Sequence, residues 1–388
     1  MRFNKNLIAL GCLAAVSSAQ AVALGDSGIV FYGNLYPQYQ QVSRDPATST
    51  APTAALAAKT GRVGDQEWLN SVKSYLGVKT SRSFGDTKVG IDIQRIITQG
   101  CLVCESRNAF VSVANEHFGE LQVGQFDTAY KNYGDHLTML GISSSNFMST
   151  SSFLSDVSWK TSGSSVLTVG GAKATNFHAR LGNSIGYETK EFSNVQGILT
   201  YSKGDSGSDQ TVLSMGVKWE KGPYYVSVQT ETHNNFRTFA TTGDSKDTAT
   251  RLSLGYKAGA FAIAADFGNL DYSQAIASGS AVNGYSTNSA QVSAQYTITP
   301  KWVVAANYAT GASGSCTRAN ASDCLTSGLG GHGQNLGVRY NISKGMGVTL
   351  VTGKATFNPN AGSNSSSLAP LVKGGSTSNT AINIQYKF

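Results

Sequence analysis

Charge is scarce in this chain. Only 14% of its 388 residues are Asp, Glu, Lys or Arg, against about 25% in ordinary soluble domains. So little charge, alongside 17 Tyr and 16 Phe, excludes a disordered chain, which needs high net charge and few aromatics. It also excludes the Ala/Glu/Lys/Leu-rich composition of a coiled coil. No run of about 18 consecutive apolar residues occurs, so no helix is expected to cross a bilayer. Proline is rare, at 7 residues, whereas glycine reaches 43. His-Glu-x-x-His and Gly-x-x-x-x-Gly-Lys-Thr/Ser motifs are absent, and His117, His136, His178, His233 and His332 show no metal or hydrolase spacing. Metal-dependent and phosphate-loop chemistries have no motif to rest on, and the histidine spacing points to no hydrolase. The chain reads as a non-enzyme, with no catalytic residue, metal site, cofactor or nucleic-acid partner.

The first residues read as an address. Arg2 and Lys5 precede an apolar stretch from Leu7 to Val16, and both Ala19-Gln20-Ala21 and Ala21-Val22-Ala23 have the small-x-small form of a cleavage site. Residues 1–23 are read as a secretory signal peptide and 24–388 as the mature domain. Loss of Arg2 and Lys5 lowers the formal charge from +7 to about +5. Export implies an oxidising compartment, so disulfides are expected. Cys12 leaves with the leader; Cys101, Cys104, Cys316 and Cys324 remain. Four cysteines allow three connectivities, and 101–104 with 316–324 is favoured because each pair lies inside one predicted loop. Cys101-Leu-Val-Cys104 also has zinc-ligand spacing, but no second ligand pair is near it.

From residue 29 onward one pattern recurs. Leu336, Val338, Tyr340 and Ile342 alternate with Asn335, Gly337, Arg339 and Asn341; Leu213, Met215, Val217 and Trp219 alternate with Ser214, Gly216, Lys218 and Glu220. A period of two marks strands. A soluble sandwich alternates too, but here the strands run to about 9 to 12 residues, matched to a tilted membrane strand. Short turns such as Gly85-Asp86, Gly222-Pro223, Gly259 and Lys344-Gly345 alternate with long polar connections at 43–70, 129–178, 234–248, 273–287, 312–331 and 358–376. That is the transmembrane-barrel pattern. Sixteen strands are predicted, at 29–42, 71–84, 87–98, 107–117, 120–128, 179–192, 195–203, 210–221, 223–233, 249–258, 260–271, 288–299, 301–311, 333–343, 346–357 and 377–388. The expected fold is an all-β, 16-stranded antiparallel transmembrane barrel, wide enough for an aqueous channel.

Several segments carry a family resemblance. They are Ser74-Tyr-Leu-Gly-Val-Lys-Thr80, Lys88-Val-Gly-Ile-Asp-Ile-Gln94, Arg107-Asn-Ala-Phe-Val-Ser-Val113, Phe118-Gly-Glu-Leu-Gln-Val-Gly124 and Arg180-Leu-Gly-Asn-Ser-Ile-Gly-Tyr187. In this order and spacing they resemble the Gram-negative trimeric general porins, and the terminal Tyr386-Lys-Phe388 resembles the signal handed to the outer-membrane barrel-insertion machinery. The resemblance implies a homotrimer in outer-membrane lipid that passes small hydrophilic solutes and ions. It also implies an inward-folded third loop, here 129–178, the longest connection. A protruding adhesive loop on a barrel anchor, or a substrate-specific porin, are the alternatives. The second long loop, with Cys101 and Cys104, can latch a neighbouring subunit in such proteins.

The resemblance further implies basic wall residues facing acidic loop residues. Arg107 and Arg180 match wall arginines and Lys79 a wall lysine, with Lys88 also expected on the polar face; Tyr75 stands in place of a further arginine and Asn34 in place of a lysine. Asp127 and Asp135 are candidates for the loop's acids, while Lys131, Lys160 and Lys173 add positive charge. Arg251, Lys257 and Arg339 are further lumen charges by alternation. The excess of cations implies mild anion preference.

Overall fold

A computed structural model describes residues 22–23, 28–45, 66–71, 74–98, 105–141, 154, 168–169, 172–173, 177–204, 209–235, 244–274, 282–318, 330–357 and 376–388. Sixteen antiparallel strands close into one barrel. β1 comprises Ile29–Leu35 and Gln38–Asp45, and β2 comprises Gln66–Asn70 and Tyr75–Phe84. Then follow β3 (Thr87–Ile96), β4 (Ser106–Asn115), β5 (Gly119–Asp127), β6 (Arg180–Thr189), β7 (Val195–Lys203) and β8 (Thr211–Lys221). The second half holds β9 (Tyr224–Asn234), β10 (Ser245–Ala258), β11 (Phe261–Gln274), β12 (Val282–Thr297), β13 (Trp302–Gly311), β14 (Gly331–Ser343), β15 (Met346–Phe357) and β16 (Ser376–Lys387). β16 pairs with both halves of β1, so the wall closes on itself at this seam. At that seam Gly33 N–H donates to the Phe388 carbonyl at 2.9 Å, and Phe388 N–H to the Gly33 carbonyl at 3.1 Å. Pro37, which has no N–H for the ladder, falls where β1 breaks.

Side chains are arranged inside out. In β8, Leu213, Met215 and Val217 point outward and are exposed, Val217 by 55%, whereas Ser214 is fully covered. β14 repeats this, with Leu336 outside and Asn335 inside. Apolar outside and polar inside is the reverse of a soluble core and fits a wall between lipid and water. Aromatic pairs sit beside the short turns: Tyr224 and Tyr256 at 5.3 Å, Trp302 and Tyr340 at 4.8 Å. They form part of the interfacial girdle expected of such a wall. Among the described residues no helix is long and apolar enough to cross a membrane; the strands cross instead.

Some strands reach further toward the long loops than alternation predicts. β10 starts at Ser245 rather than 249, and β12 at Val282 rather than 288; Gln66–Asn70, expected in a loop, pairs with Gln38–Val42. Above the lipid both faces of a strand are wet, so hydropathy stops alternating while backbone pairing continues, as at Asp271–Ser286 and Tyr272–Tyr285. Bulges or irregularities interrupt four of the described registers, and two of them bear on the site. One lies in β4 between Ser106 and Ala109, the other in β6 between Leu181 and Ser184, where Asn183 takes a φ of 51°.

Candidate functional site

Beyond Asp127 the chain forms a short helix, α1 (Ala129–Gly134), laid against inward-facing residues of the wall. Thr128, at the N-cap, makes no side-chain capping bond. The wall caps the helix instead. Ala129 N–H donates to Thr200 Oγ1 at 3.4 Å and Tyr130 N–H to Ser214 Oγ at 2.9 Å. At the other end Tyr225 O–H donates to the Tyr133 carbonyl at 2.5 Å, and Arg251 donates to the Gly134 carbonyl. Amides and carbonyls that a helix leaves orphaned at its ends are thus satisfied by β7 to β10.

The next residues meet an unexpected surface. Met139 and Leu140, with Leu137 beside them, pack on Tyr36, Ala262, Ala264, Val303, Ala305 and Val351. Leu140 N–H donates to Gln295 Oε1 at 2.7 Å, and Arg339 Nη1 donates to the Leu140 carbonyl at 3.4 Å. These apolar wall residues break the polar rule of a wet interior because the segment covers them. Gly255 leaves the room that Leu137 fills: a Cβ there would lie 2.2 Å from Leu137 Cδ1. Of the expected loop at 129–178, the described residues 129–141, Leu154 and Phe177 lie on the inner wall; Phe177 stacks against His233 at 4.7 Å and Tyr272 at 5.8 Å. Lys160 lies outside the described residues, and nothing is described of the Lys173 side chain.

Arg251 is the centre of the junction. It is fully buried, and its Nε and Nη2 donate to Asp266 Oδ1 at 3.0 and 2.8 Å. Its Nη1 lies 3.6 Å from Asp135 Oδ1, and Asp135 is paired in turn with His178. Expected as an open lumen charge, Arg251 instead ties β10 and β11 to α1. Asp135 likewise serves the anchor. Asp266 meets Arg251 across the β10–β11 register, two residues from Gly268, whereas Asp135 and Gly134 reach it only with the docked segment.

A second cluster lies on the opposite part of the wall. Lys79 Nζ sits 5.0 Å above the Tyr32 ring, and the Arg107 guanidinium 4.2 Å above the Tyr75 ring. The two rings meet edge to face at 6.2 Å. Tyr32 O–H is bonded to Asp92, Gln94 Nε2 donates to Tyr32 Oη at 2.7 Å, and Arg107 Nη1 donates to Gln94 Oε1 at 2.7 Å. Arg180 and Lys131 share Asp127 Oδ1, at 2.8 and 3.0 Å. Burial pulls the Lys131 ammonium below its usual pKa, and Asp127 opposes the shift. Asp127, a candidate for the loop's acids, is the last residue of β5, inside the predicted strand at 120–128, and stands opposite Arg180 in register. Arg107 reaches the lumen by a route that alternation missed. Val111 and Val113 face lipid, so a strict period of two would turn Arg107 outward; the β4 bulge reverses it.

Residues 7–361 match the family profile described as Gram-negative porin. The chain belongs to this family. The porin is an outer-membrane channel, spanning the membrane as a β-barrel. Solved structures agree in fold. The anion-selective porin of Comamonas acidovorans superposes with a TM-score of 0.67 at 15% identity, over 93% of this chain and 99% of the other. The DcaP outer-membrane channel of Acinetobacter baumannii gives 0.63 at 14% identity, over 95% and 100%. The trimer form of OmpT, an outer-membrane protein of Vibrio cholerae, gives 0.60 at 14%, over 93% and 99%. No curated protein sequence shows significant similarity to the porin.

The remaining expected residues of the porin scatter. Lys88 faces inward but stands opposite Ser83, beside the Gly85-Asp86 turn. Four residues separate it from Asp92, about 13 Å along the strand, so it belongs to the short-turn mouth. Lys257 also lies by that mouth, two residues before Gly259. Arg339, expected as a further lumen charge, touches Leu140 and also donates to Gln385 Oε1 at 2.5 Å. Cys316 is disulfide-bonded; Cys101, Cys104 and Cys324 lie outside the described residues. Tyr386 and Phe388 stack at 5.6 Å beside the seam.

Proposed function

We propose that the porin lets small hydrophilic solutes and ions diffuse passively past a constriction between the Lys79–Arg107–Arg180 wall and the docked segment, with mild anion preference and without enzymatic activity. One observation carries this. Lys79 and Arg107 rest on tyrosine rings rather than on carboxylates. A ring holds a cation in place without cancelling its charge. Around them, among the described residues, Lys79, Arg107, Lys131 and Arg180 are set against Asp92 and Asp127, with Asp135, itself paired to His178 and Arg251, also acting on Lys131. In a water column bounded by low-dielectric wall, such an excess raises the local anion concentration. The Comamonas neighbour, described as anion-selective, supports the same reading. The test is the reversal potential of purified porin in a planar bilayer under a potassium chloride gradient. Anion preference is expected, falling toward zero selectivity in Lys79→Ala/Arg107→Ala; cation preference in the unaltered porin refutes it.

Assembly as a homotrimer in outer-membrane lipid is part of this proposal, supported by the trimer form of the Vibrio neighbour, as is delivery to the insertion machinery through Tyr386 and Phe388. Residues 1–23 act as the leader. Mass spectrometry of the exported chain should find it starting at Val22 or Leu24, and an intact Met1 rejects the leader.

A further inference from the structure

Most buried or half-buried cations of the porin are spoken for by carboxylates: Arg180 and Lys131 by Asp127, Arg251 by Asp266 and Asp135, Lys218 by Glu188. Half-buried Arg107 and exposed Lys79 make no such pair among the described residues, and half-buried Arg339 is held by the Leu140 carbonyl and the Gln385 amide oxygen. Arg107 spends Nη1 on Gln94 and one face on Tyr75. Its Nε and Nη2 have no acceptor among the described residues. A guanidinium offers five N–H donors in a plane suited to a carboxylate. The surrounding parts are held in advance. Asp92 and Gln94 fix the Tyr32 hydroxyl, Gln94 fixes Arg107, and the Tyr32 and Tyr75 rings brace each other at 75°. Both rings are half-buried, so each keeps surface toward the lumen. Ordering entropy that a solute would otherwise have to overcome is therefore already lost on folding.

From this we infer that Tyr32, Tyr75, Lys79 and Arg107 form a weak binding site for aromatic carboxylates on their way through the channel. The solute carboxylate takes the unpartnered N–H groups of Arg107, with Lys79 adding charge. Its ring lies against the exposed surface of Tyr75 and Tyr32, where offset or edge contacts between rings are favoured. Chloride or acetate engages only the charges. A saturated ring of similar size engages the charges and the apolar surface but not the ring quadrupole. The inference rests on the anion preference proposed above, and adds a solute class to it.

Benzoate, cyclohexanecarboxylate and acetate, each titrated onto single porin channels in potassium chloride, test it. Benzoate should interrupt the current at concentrations roughly three- to tenfold below cyclohexanecarboxylate, the advantage expected of an aromatic pair. Tyr75→Leu should bring the two together, while Tyr75→Phe, which keeps the ring, should retain the difference. Equal interruption by both acids in the unaltered porin, or an unchanged benzoate advantage in Tyr75→Leu, overturns the site. The reversal potential read in the same membranes separates the two layers. An anion-preferring channel with no benzoate advantage defeats the aromatic site alone; cation preference defeats the electrostatic reading beneath it.

Discussion

Removal of the Arg251 guanidinium is the most demanding perturbation the structure suggests. Arg251→Met keeps the stem and much of the volume. It leaves Asp266 without donors that now sit at 2.8 and 3.0 Å, leaves Asp135 without a cation at 3.6 Å, and strips the Gly134 carbonyl of its donor. Breaking a buried ion pair from one side costs about 3–5 kcal/mol, because the other charge stays buried and uncompensated. The remaining polar ties of α1 and the following turn are a few hydrogen bonds, among them Tyr130 to Ser214, Tyr225 to Tyr133 and Leu140 to Gln295. Each contributes about 1 kcal/mol. The lost anchor is therefore comparable to these hydrogen bonds together, leaving the apolar packing of Leu137, Met139 and Leu140 as the main remaining hold on the segment. The strand ladders of β10 and β11 are untouched, so thermal melting followed by circular dichroism should move little. Single-channel current should instead rise and grow noisy as the segment leaves the wall. Arg251→Met/Asp266→Leu should recover part of any lost stability without restoring the quiet current, since Gly134 and Asp135 remain unheld. A quiet channel of unaltered conductance in Arg251→Met would refute the assignment of Arg251 as anchor.

Three further outcomes are expected. Gly124→Ala should lower the melting temperature, with a cost on the order of 1–3 kcal/mol for strained backbone. At a φ of 139° its Cβ would fall 2.2 Å from the Ala109 carbonyl oxygen, so melting no different from the parent contradicts the register of β4 and β5. Lys88→Ala should leave the reversal potential within a few millivolts of the parent while Arg107→Ala shifts it, since Lys88 stands about 13 Å from Asp92 along its strand; equal shifts would mean that both line the narrow region. Peptide mapping without reductant should find Cys316 joined to Cys324 and Cys101 to Cys104, and a 101–316 linked peptide rejects that pairing.

Alternation sufficed to find β8, β14 and β16, because Leu213, Leu336 and Ile382 face lipid while Ser214, Asn335 and Asn383 face the lumen. It also located the short turns. It failed wherever the period shifts by one residue. Two adjacent polar residues, Arg107 and Asn108, are the only local cue to the β4 bulge, and they suit either parity. The docked segment left a clearer mark that went unread. Ala262, Ala264, Val303 and Ala305 occupy inward positions, where water alone would not favour them. Small apolar residues repeated on the wet face of two nearby strands mean that something greasy covers that face. Arg251 was legible as inward-facing but not as buried, since Gly134 and Asp135 reach it only after the helix docks beside its strand neighbour Asp266.

The pairing of Gly33 with Phe388 sets the order in which the molecule can be finished. Every other neighbouring pair of strands can zip up through contacts close in sequence. This last one joins residues separated by almost the whole barrel, and such distant contacts form slowly. Until they do, the molecule is an open curl with two sticky margins, prone to pair with another copy of itself. The few residues around Phe388 therefore decide whether the curl becomes a ring, and trimming them should trap an aggregation-prone sheet rather than a slightly shorter pore.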